Sequence, residues 1–475
     1  MISVPNHLPR LNGNKLFAIL IIISGLAIQS CSTTKSVYKP STVKSPEIVE
    51  EIVKQETIDT VKWEVVPQKE MPPITSEAEE MVLDKKEVYN IAMFLPIEAQ
   101  KSDAQIQAII ENSTTNRFIS FYAGALMAMS DLEEQGVNLR IDVYDSQRSA
   151  EKVSSELNSI GFKNMDAIIG PYGSSRNKQG LINTAEFGKE NEITVVSPWY
   201  ASSSLAKENP HYIQLRPNLE DHYTAMLQHA KDNFEDSEII LLGREQLDPR
   251  RKRSDTNRIK YLQRIHKEIS GSMNTRDLKV FDVHVDSLLT GETAYDSLFY
   301  EPGRKAIIVP YYTSGDESFI YNCLRRINGE KAFEPVHVYA MPIALDSEQI
   351  GFNLYRNLNM KICRSKFVDK SNDGVRHFER NYYQKYGAIP NDDAYHGYDV
   401  MFFVGSNLYN YGRNFQYFID EPQEYLQSSF RIEKVPFKDS NTNIESNQDG
   451  NKFNYFVNKH LDIIEFEGEV FKRSE

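Results

Sequence analysis

The 475-residue sequence lacks most of the motifs that catalysis and cofactor binding usually require. It contains no Gly-x-x-x-x-Gly-Lys-Ser/Thr phosphate loop, no His-Glu-x-x-His zinc motif and no Gly-x-Ser-x-Gly nucleophile turn. Its ten histidines do not cluster at metal-ligand spacing, and His396 lies in a motif where packing or a backbone hydrogen bond is the expected role. The sequence therefore predicts a protein that is not an enzyme and has no cofactor or metal.

Cysteine is scarce, with only Cys31, Cys323 and Cys363. No two of them have the Cys-x-x-Cys spacing of a metal site. Cys323 falls on an apolar helical stripe with Ile320 and Leu324, which favours a small buried thiol. A disulfide between Cys323 and Cys363 in an oxidising compartment stays open as the alternative.

Positive charge is also in deficit, since the formal net charge is -13. An acidic surface repels phosphate backbones, which argues against nucleic acid as a partner. The one basic run, Arg250 to Arg253, has Glu245, Asp248 and Asp255 nearby. These acids offset its charge, so we predict a solvated loop there rather than an anion site.

The first 31 residues predict export. Arg10 and Lys15 precede an apolar run from Leu16 to Ile28, which is shorter than the roughly 20 residues that span a bilayer but suits a secretory signal. The following Ala-Ile-Gln-Ser-Cys31 resembles the lipobox of bacterial lipoproteins, although Gln29 is larger than usual. The resemblance implies cleavage after Ser30 and lipidation of Cys31. An ordinary signal peptide with an incidental cysteine is the alternative.

Residues 31–87 have no sustained apolar period and are rich in Ser, Thr, Lys, Glu and Pro. This composition predicts a disordered tether that holds the folded body away from the membrane. The residues after Cys31 lack an acidic run that resembles a surface-export signal. We therefore expect a lipid anchor in the cell envelope, with the outer membrane and a periplasm-facing body favoured.

From residue 89 onward, buried strands alternate with amphipathic helices, which predicts parallel sheets covered on both faces. The first half has strands at Tyr89–Pro96, Leu139–Tyr144, Ala167–Gly170 and Ile193–Ser197, with helices through Phe118–Leu132, Ala150–Ile160 and Leu181–Ala185. The pattern restarts with a helix near Asp221–Asp232 and strands at Glu238–Leu242, Val280–Val285, Ala306–Pro310 and Val336–Ala340. The predicted fold class is therefore α/β, with two Rossmann-like lobes.

We predict a first lobe at residues 88–214 with a return segment at about 359–420. The second lobe is predicted at 215–358, together with C-terminal strands at about 430–475. Tyr212–Pro217 is the expected crossing strand between the lobes. Strand ends of the two lobes would face each other across a cleft, where open α/β sheets bind ligands.

Several segments together resemble the type I periplasmic binding proteins, in particular the amino-acid receptors that serve ABC transporters. They are Phe121-Tyr-Ala-Gly-Ala-Leu126, Val143-Tyr-Asp145, Ile169-Gly-Pro-Tyr-Gly-Ser-Ser175, Val196-Ser-Pro198 and the stretch from Phe378 to Tyr395-His-Gly-Tyr-Asp399. Gly124 is interpreted as letting the first helix approach the sheet. Each motif is weak alone, but their order and spacing cover about residues 88–412.

The resemblance implies a ligand site at the strand ends, which would make this a two-lobed periplasmic binding protein. The expected ligand contacts are Ser174, Ser175, Ser197, Tyr200, Ser202, Tyr312 and Asp346. Glycines, hydroxyls and free N–H groups at a strand end suit a carboxylate, although helix N-capping explains the serines equally well.

The sequence also departs from the pattern of amino-acid receptors. Trp199 and Tyr200 follow the Ser-Pro turn, where small residues are usual, and Tyr172 is nearby. These rings could stack on a ligand or fill the cleft. The loop from Gly243 to Pro249 replaces an aromatic that often covers the ligand.

Two functions follow from this interpretation. The first is a lipid-anchored binding protein that closes over a small polar ligand, amino-acid or peptide-like, and presents it to a permease. The second keeps the fold but regulates an envelope or peptidoglycan enzyme, for which a long tether gives reach. Heat of binding with amino acids and peptides would favour the first function, and crosslinked partners other than a permease would favour the second.

Overall fold

A computed structural model describes residues 85–98, 113–174, 176–202, 205, 208–285, 293–436 and 453–474. The predicted signal peptide, the lipidation site Cys31, the tether up to residue 84, Ser175 and the polar stretch 440–452 lie outside these residues. Within them, no helix combines the length and apolarity needed to cross a membrane.

The first sheet is built from short βα units in the predicted order. Its elements are β1 Tyr89–Leu95, α1 Ser113–Glu134, β2 Leu139–Asp145, α2 Ala150–Leu157, β3 Ala167–Ile169, α3 Gln179–Asn191, β4 Thr194–Ser197 and β5 Tyr212–Gln214. Residues 91–95 of β1 are all fully buried, as expected for a strand with helices on both faces of its sheet.

The second sheet repeats this plan. Its elements are α4 Leu219–Asn233, β6 Ile239–Glu245, α5 Pro249–Ile269, β7 Lys279–His284, β8 Lys305–Val309, α6 Glu317–Glu330, β9 Val336–Ala340, α7 Ile343–Asp346, α8 Phe352–Asn357 and β10 Lys361–Arg364. Short 3-10 turns occur at Phe162–Asn164, Tyr295–Phe299, Ser314–Asp316 and Phe415–Tyr417.

The C-terminal part adds two helices and six strands. They are α9 Asp373–Tyr386, α10 Asp392–Tyr411, β11 Gln423–Glu424, β12 Ser429–Phe430, β13 Ile432–Pro436, β14 Phe453–Asn458, β15 Asp462–Glu467 and β16 Val470–Arg473. Gly387 ends α9 in the left-handed conformation (φ 68°), which a residue without a Cβ adopts at little cost. The stretch from Phe378 to Asp399, which carries part of the resemblance, therefore lies on the two consecutive helices α9 and α10.

Two seven-stranded sheets result, with orders β13-β14-β5-β4-β3-β1-β2 and β16-β15-β10-β9-β8-β6-β7. The core orders β2-β1-β3-β4-β5 and β7-β6-β8-β9-β10 are equivalent, and all their pairs are parallel. Each half is therefore a doubly wound layer of the same topology. This confirms the predicted fold class of two Rossmann-like lobes.

Sheet pairing at the C-terminus differs from the expected lobe assignment. β14 pairs with β5 in the first sheet and carries β13 as its antiparallel edge. Only β15 and β16 extend the second sheet, through the antiparallel pair of β15 with β10. The strand β10, expected in the return segment, also belongs to the second sheet. These pairings join strands far apart in sequence, so local patterns do not determine them.

The chain crosses between the two sheets three times: after β5, after β10 and after β14. Asn458, which is 1% exposed, links two of these crossings. Its Nδ2 donates to the carbonyl oxygens of Leu215 (3.1 Å) and Ser429 (3.3 Å), and its Oδ1 accepts from the N–H groups of Arg431 (2.9 Å) and His460 (3.0 Å). One buried amide thus satisfies four backbone groups where the lobes join.

Helices α1 and α10 pack at very close range through a pair of glycines. A Cβ at Gly124 would lie 1.8 Å from the Ala394 carbonyl oxygen, and a Cβ at Gly397 would lie 1.8 Å from the Phe121 carbonyl oxygen. Gly124 therefore allows approach to another helix rather than to the sheet, which corrects the expectation from the sequence. Only hydrogen fits between backbones this close.

Two further local expectations are corrected, and the buried thiol expected at Cys323 is confirmed. The basic run from Arg250 is not a loop but the exposed first turn of α5, because Asp248 accepts hydrogen bonds from the first-turn N–H groups and Pro249 suits the first helical position. Ile160 lies beyond the end of α2 and is fully exposed. Cys323 and Cys363 are both buried and free rather than paired.

Candidate functional site

A pocket of 230 Å³ lies where the two lobes and their connections meet. The first lobe contributes Arg117, Pro198, Trp199 and His396, and the second contributes His222 and Pro342. The rest of the lining comes from the crossing segments and the chain before β13: Leu215, Arg216, Arg364, Ser365, Lys366, Ser428 and Phe430. Pro198 follows β4, Pro342 follows β9 and Ser365 follows β10, so the pocket lies at the carboxyl ends of strands in both sheets.

Four cationic side chains line this pocket, and two of them have acidic partners. Arg117 forms a bidentate pair with Asp393, with Nε–Oδ2 and Nη2–Oδ1 distances of 3.1 and 3.2 Å. Arg364 approaches Asp392 at 4.0 Å, a long contact to a carboxylate that is 74% exposed. Exposed pairs of this kind contribute about 0–1 kcal/mol.

The other two cations, Arg216 and Lys366, form no ion pair within the part of the chain that the structure describes. Arg216 is exposed to solvent and donates through Nη1 to the Trp199 carbonyl oxygen at 3.2 Å. Burial among protein atoms lowers the pKa of Lys366 to about 8, and Arg216 adds to this effect. Asp393, Asp392 and Asp399 act in the opposite direction without contacting it. Lys366 remains mostly protonated at pH 7.

Four polar atoms of the lining are buried without a hydrogen-bond partner among the described residues: Arg364 Nε, Ser428 Oγ and the two ring nitrogens of His396. Ser428 is 2% exposed. Its hydroxyl lies close enough to Asp399 to lower the pKa of that carboxyl, but no hydrogen bond of normal geometry joins them. Buried polar groups are nearly always satisfied in native proteins, so orphaned donors in a pocket indicate that something polar completes them.

The backbone that carries Ser428 is fixed by Asp399 of α10. The Asp399 carboxylate accepts hydrogen bonds from the N–H groups of Leu426 (3.0 Å), Gln427 (3.1 Å) and Ser428 (2.8 Å). Burial raises the pKa of Asp399 to about 7, and the three N–H donors oppose that rise. The acidic end of the Tyr395–Asp399 motif thus orders the pocket wall.

The two histidines of the pocket are neutral. Burial lowers the pKa of His222 to about 4, and its Nδ1 lies 3.4 Å from Cys363 Sγ. Burial also lowers the pKa of His396 well below its usual value, with Lys366 contributing to the decrease. His396 packs edge-on against Phe121 and has no ring-nitrogen hydrogen bond of normal geometry in the described structure. Both imidazoles can offer hydrogen bonds to a ligand, but neither adds charge at pH 7.

One wall of the pocket is a packed aromatic group. Trp199, 6% exposed, contacts Phe121, Phe118 and Tyr172 with ring centroids 4.9, 5.5 and 6.1 Å apart. The ring therefore fills the space between the end of β4 and helix α1. Of the two roles that the sequence left open for these large rings, packing describes Trp199 and Tyr172.

The second lobe has a self-contained ionic cluster near the ends of β6 and β8. Arg244 donates to Asp255 (2.9 and 3.1 Å) and to Asp316 (2.7 Å), while its guanidinium lies over the ring of Tyr311 at 4.5 Å. Arg258 also donates to Asp255, at 2.8 Å. The Gly243–Pro249 segment thus supplies a structural ion pair instead of a ligand-covering ring.

Larger cavities occur in the second lobe, but they do not combine both lobes. One of 540 Å³ lies between α5 and β7 and is lined mainly by long polar side chains of both signs, including Lys260, Arg264 and Asp277. Another of 620 Å³, which includes Cys323 and Arg326, adjoins the end of β7. The interlobe pocket remains the candidate site because residues of both lobes line it and because it contains buried polar atoms without hydrogen-bond partners.

Comparison with known proteins shows the fold. No family model matches the chain, and no curated protein matches it. The structure of a Rhodospirillum rubrum protein, assigned as a branched-chain amino acid ABC transporter, matches 82% of this chain and 100% of that one with a TM-score of 0.53 at 13% identity. A Desulfitobacterium hafniense ABC transporter substrate-binding protein in complex with Leu matches the same shares with a TM-score of 0.48 at 14% identity.

The fold is that of a type I periplasmic binding protein. The resemblance drawn from the motifs is confirmed at the level of fold. Of the expected lobe 1 contacts, Ser174, Ser197, Tyr200 and Ser202 are not part of the pocket lining, and Ser175 lies outside the described residues. Ser174 Oγ accepts from the Asn177 N–H at 3.2 Å in a local turn and does not cap α3. Ser197 is buried at the end of β4.

Tyr200 is half-buried and packs against the cluster on the outer face of the first sheet, and Ser202 is half-buried nearby in sequence. In the second lobe, Tyr312 is 42% exposed beneath Arg258, and Asp346 is exposed at the end of α7. None of these four lines the interlobe pocket. A role for them as ligand contacts in this type I binding fold stays a prediction.

Sequence reasoning missed the basic residues of the pocket. Arg364 and Lys366 alternate at the end of β10, and Arg216 lies within the predicted crossing strand Tyr212–Pro217, two residues beyond the observed end of β5. The available signal for these residues was a cation near a strand end, because the strand ends of the two lobes were expected to face the cleft. Ser428 had none, because hydrogen bonds to residues distant in sequence, such as those with Asp399 and Phe367, bring its loop to the cleft.

Proposed function

We propose that this chain is a non-catalytic binding protein whose two lobes close over a small polar ligand. The observation that supports it is the interlobe pocket, which joins residues of both lobes and of the crossing segments and contains unsatisfied polar atoms. Its volume of 230 Å³ is below the roughly 300–1,000 Å³ of sites for drug-sized ligands. A metabolite-sized ligand suits it.

Ligand binding would favour the closed arrangement of the lobes. Arg216 and Lys366 repel each other in the unliganded pocket, and a ligand that contacts both replaces this repulsion with attraction. Among the described residues, no helix or strand of one lobe packs extensively against a helix or strand of the other, so a hinge motion at the crossings needs little repacking of either core.

The finer parts of the proposal are lipid anchoring through Cys31 and delivery of the ligand to a permease. The apolar run before Cys31 supports the anchor. The likeness in fold to the Rhodospirillum rubrum protein named as a branched-chain amino acid ABC transporter is consistent with delivery. Replacement of Cys31 by Ser should move the protein from the membrane fraction to the soluble fraction. Retention of the Cys31→Ser protein in membranes would contradict the anchor.

Trp199 provides a direct test of ligand binding. It lines the pocket, and the only other tryptophan of the chain is Trp63. In the purified full-length Trp63→Phe variant, a ligand that enters the pocket should change the emission of Trp199. Calorimetry on the same protein with amino acids, short peptides and small organic anions should give heat for the same compounds. No heat and no fluorescence change with any of them would overturn the proposed function.

A further inference from the structure

The charges of the interlobe pocket identify the chemistry of its ligand more narrowly. Its lining contains four cationic side chains and not one aspartate or glutamate. Amino-acid ligands carry an ammonium group, for which a carboxylate is the usual counter-charge. Asp346, the acid expected for this task, is exposed outside the lining. The pocket therefore does not offer the charge pattern of a zwitterion.

The number of pocket cations that have no acidic partner indicates the charge of the ligand. Asp393 and Asp392 offset Arg117 and Arg364, and the neutral histidines add nothing. Arg216 and Lys366 are left without an ion pair in the described residues. Holding a partly buried ammonium beside a guanidinium is unfavourable in an empty pocket, so these two charges require another explanation than stability.

The neutral donors lie among the same residues. The buried lining atoms without partners are Ser428 Oγ, Arg364 Nε and the two ring nitrogens of His396, and Ser428 Oγ and Arg364 Nε can each donate a hydrogen bond. An anionic group with several acceptor oxygens satisfies such donors and the two cations at once. The two cations without an ion pair and the donors without a hydrogen-bond partner are independent observations, because the first concerns charge and the second concerns hydrogen bonding.

We propose that the pocket binds a small ligand with two negative charges, a dicarboxylate or a phosphate-bearing compound, between Arg216 and Lys366, with Ser428 Oγ and Arg364 Nε as hydrogen-bond donors. This proposal rests on the proposed function, since it assumes that the interlobe pocket is the binding site. It replaces the amino-acid or peptide-like ligand expected from the sequence with an acidic ligand that has no ammonium group.

Calorimetry on the purified full-length protein tests this with three probes: succinate, inorganic phosphate and leucine. We expect succinate or phosphate to bind and leucine to bind at least tenfold more weakly. The tighter of the two anions identifies the carboxylate or the phosphate form of the ligand. Because the contacts are charged, affinity should fall as salt concentration rises.

Three variants localise the binding. Lys366→Met and Ser428→Ala should each weaken binding of the preferred anion, Lys366→Met by about 10- to 100-fold and Ser428→Ala less. Arg251→Gln is the matched control, because it removes one positive charge from an exposed position in the first turn of α5, outside the pocket. Its affinity should equal that of the wild type.

Each other outcome overturns the inference. If leucine binds more tightly than both anions, the dianion is wrong while the proposed function stands. If Arg251→Gln weakens anion binding as much as Lys366→Met, the anions bind a general surface charge and not the pocket. If neither anion binds, the dianion is also wrong, and the wider ligand panel with the Trp199 readout then decides the proposed function separately.

Discussion

Replacing Lys366 with Met should stabilise the unliganded protein. Burial lowers the pKa of Lys366 from 10.5 to about 8, a shift of about 2.5 units. At about 1.36 kcal/mol per unit, this corresponds to about 3 kcal/mol of unfavourable free energy for the charged form. The side chain retains partial contact with solvent, which screens the charge. We therefore expect a gain of about 1–3 kcal/mol in the free energy of unfolding at pH 7.

The dependence on pH gives the same reasoning a second test. Between pH 8 and 10.5 the unfolded chain keeps the Lys366 proton while the folded chain loses it, so wild-type stability rises with pH in this window. The advantage of Lys366→Met should therefore be complete below about pH 8 and disappear above about pH 10.5. Of the groups that face Lys366, Arg216 stays charged throughout, and Asp399, with a pKa of about 7, titrates below the window.

Urea denaturation of the full-length proteins without added anions measures both effects. Lys366→Arg is the matched control, because its guanidinium does not titrate in this range and should show no such gain with pH. A Lys366→Met protein that is less stable than wild type at pH 7 would refute the argument. It would mean that Lys366 serves as a structural ion-pair partner rather than as a ligand contact.

Three further substitutions test the packing that shapes the pocket, each by the free energy of unfolding. Gly397→Ala should lower it by at least about 1–3 kcal/mol because the new methyl meets the Phe121 backbone. Gly329→Ala, in the last turn of α6 with open space around it, should be neutral or slightly stabilising. Asn458→Ala should lower the free energy of unfolding by about 1–3 kcal/mol for each backbone group that stays buried and unpaired. A variant as stable as the wild type would show that water replaces the side-chain amide. Arg244→Met should cost about 3–5 kcal/mol by leaving Asp255 and its partners without their central cation, and a loss below about 1 kcal/mol would contradict that view of the cluster.

The order of helices and strands was predictable because it depends on the spacing of apolar residues close together in sequence. Runs such as Tyr89–Leu95 are apolar at every position, and helices such as α6 repeat apolar residues at three- and four-residue spacing. The prediction of a loop was wrong at the start of α5, because helix capping by Asp248 and Pro249 outweighs the repulsion between the basic side chains that follow. There a helix begins within a run of like charges that favours a loop by composition.

The candidate site was predictable in its place but not in its residues. The carboxyl ends of β4 and β9 were expected to face a cleft, and Pro198 and Pro342 beyond them do line the pocket. Of the serines and tyrosines proposed there, Ser174 forms a local turn and Tyr200 packs against a hydrophobic core cluster. A hydroxyl at a strand end has several ways to be satisfied, and only the surrounding structure selects one.

The sequence by itself determined two α/β lobes, because alternating burial is recorded in the spacing of neighbouring residues. Tertiary structure alone decided which C-terminal strand joins which sheet, and it brought Arg216, Lys366 and Ser428 to one pocket. The pairing of β14 with β5 and the placement of Arg216 beside Lys366 join residues more than a hundred positions apart, and no local pattern encodes such contacts. The pocket is therefore lined by positive charge although the net charge of the chain is negative.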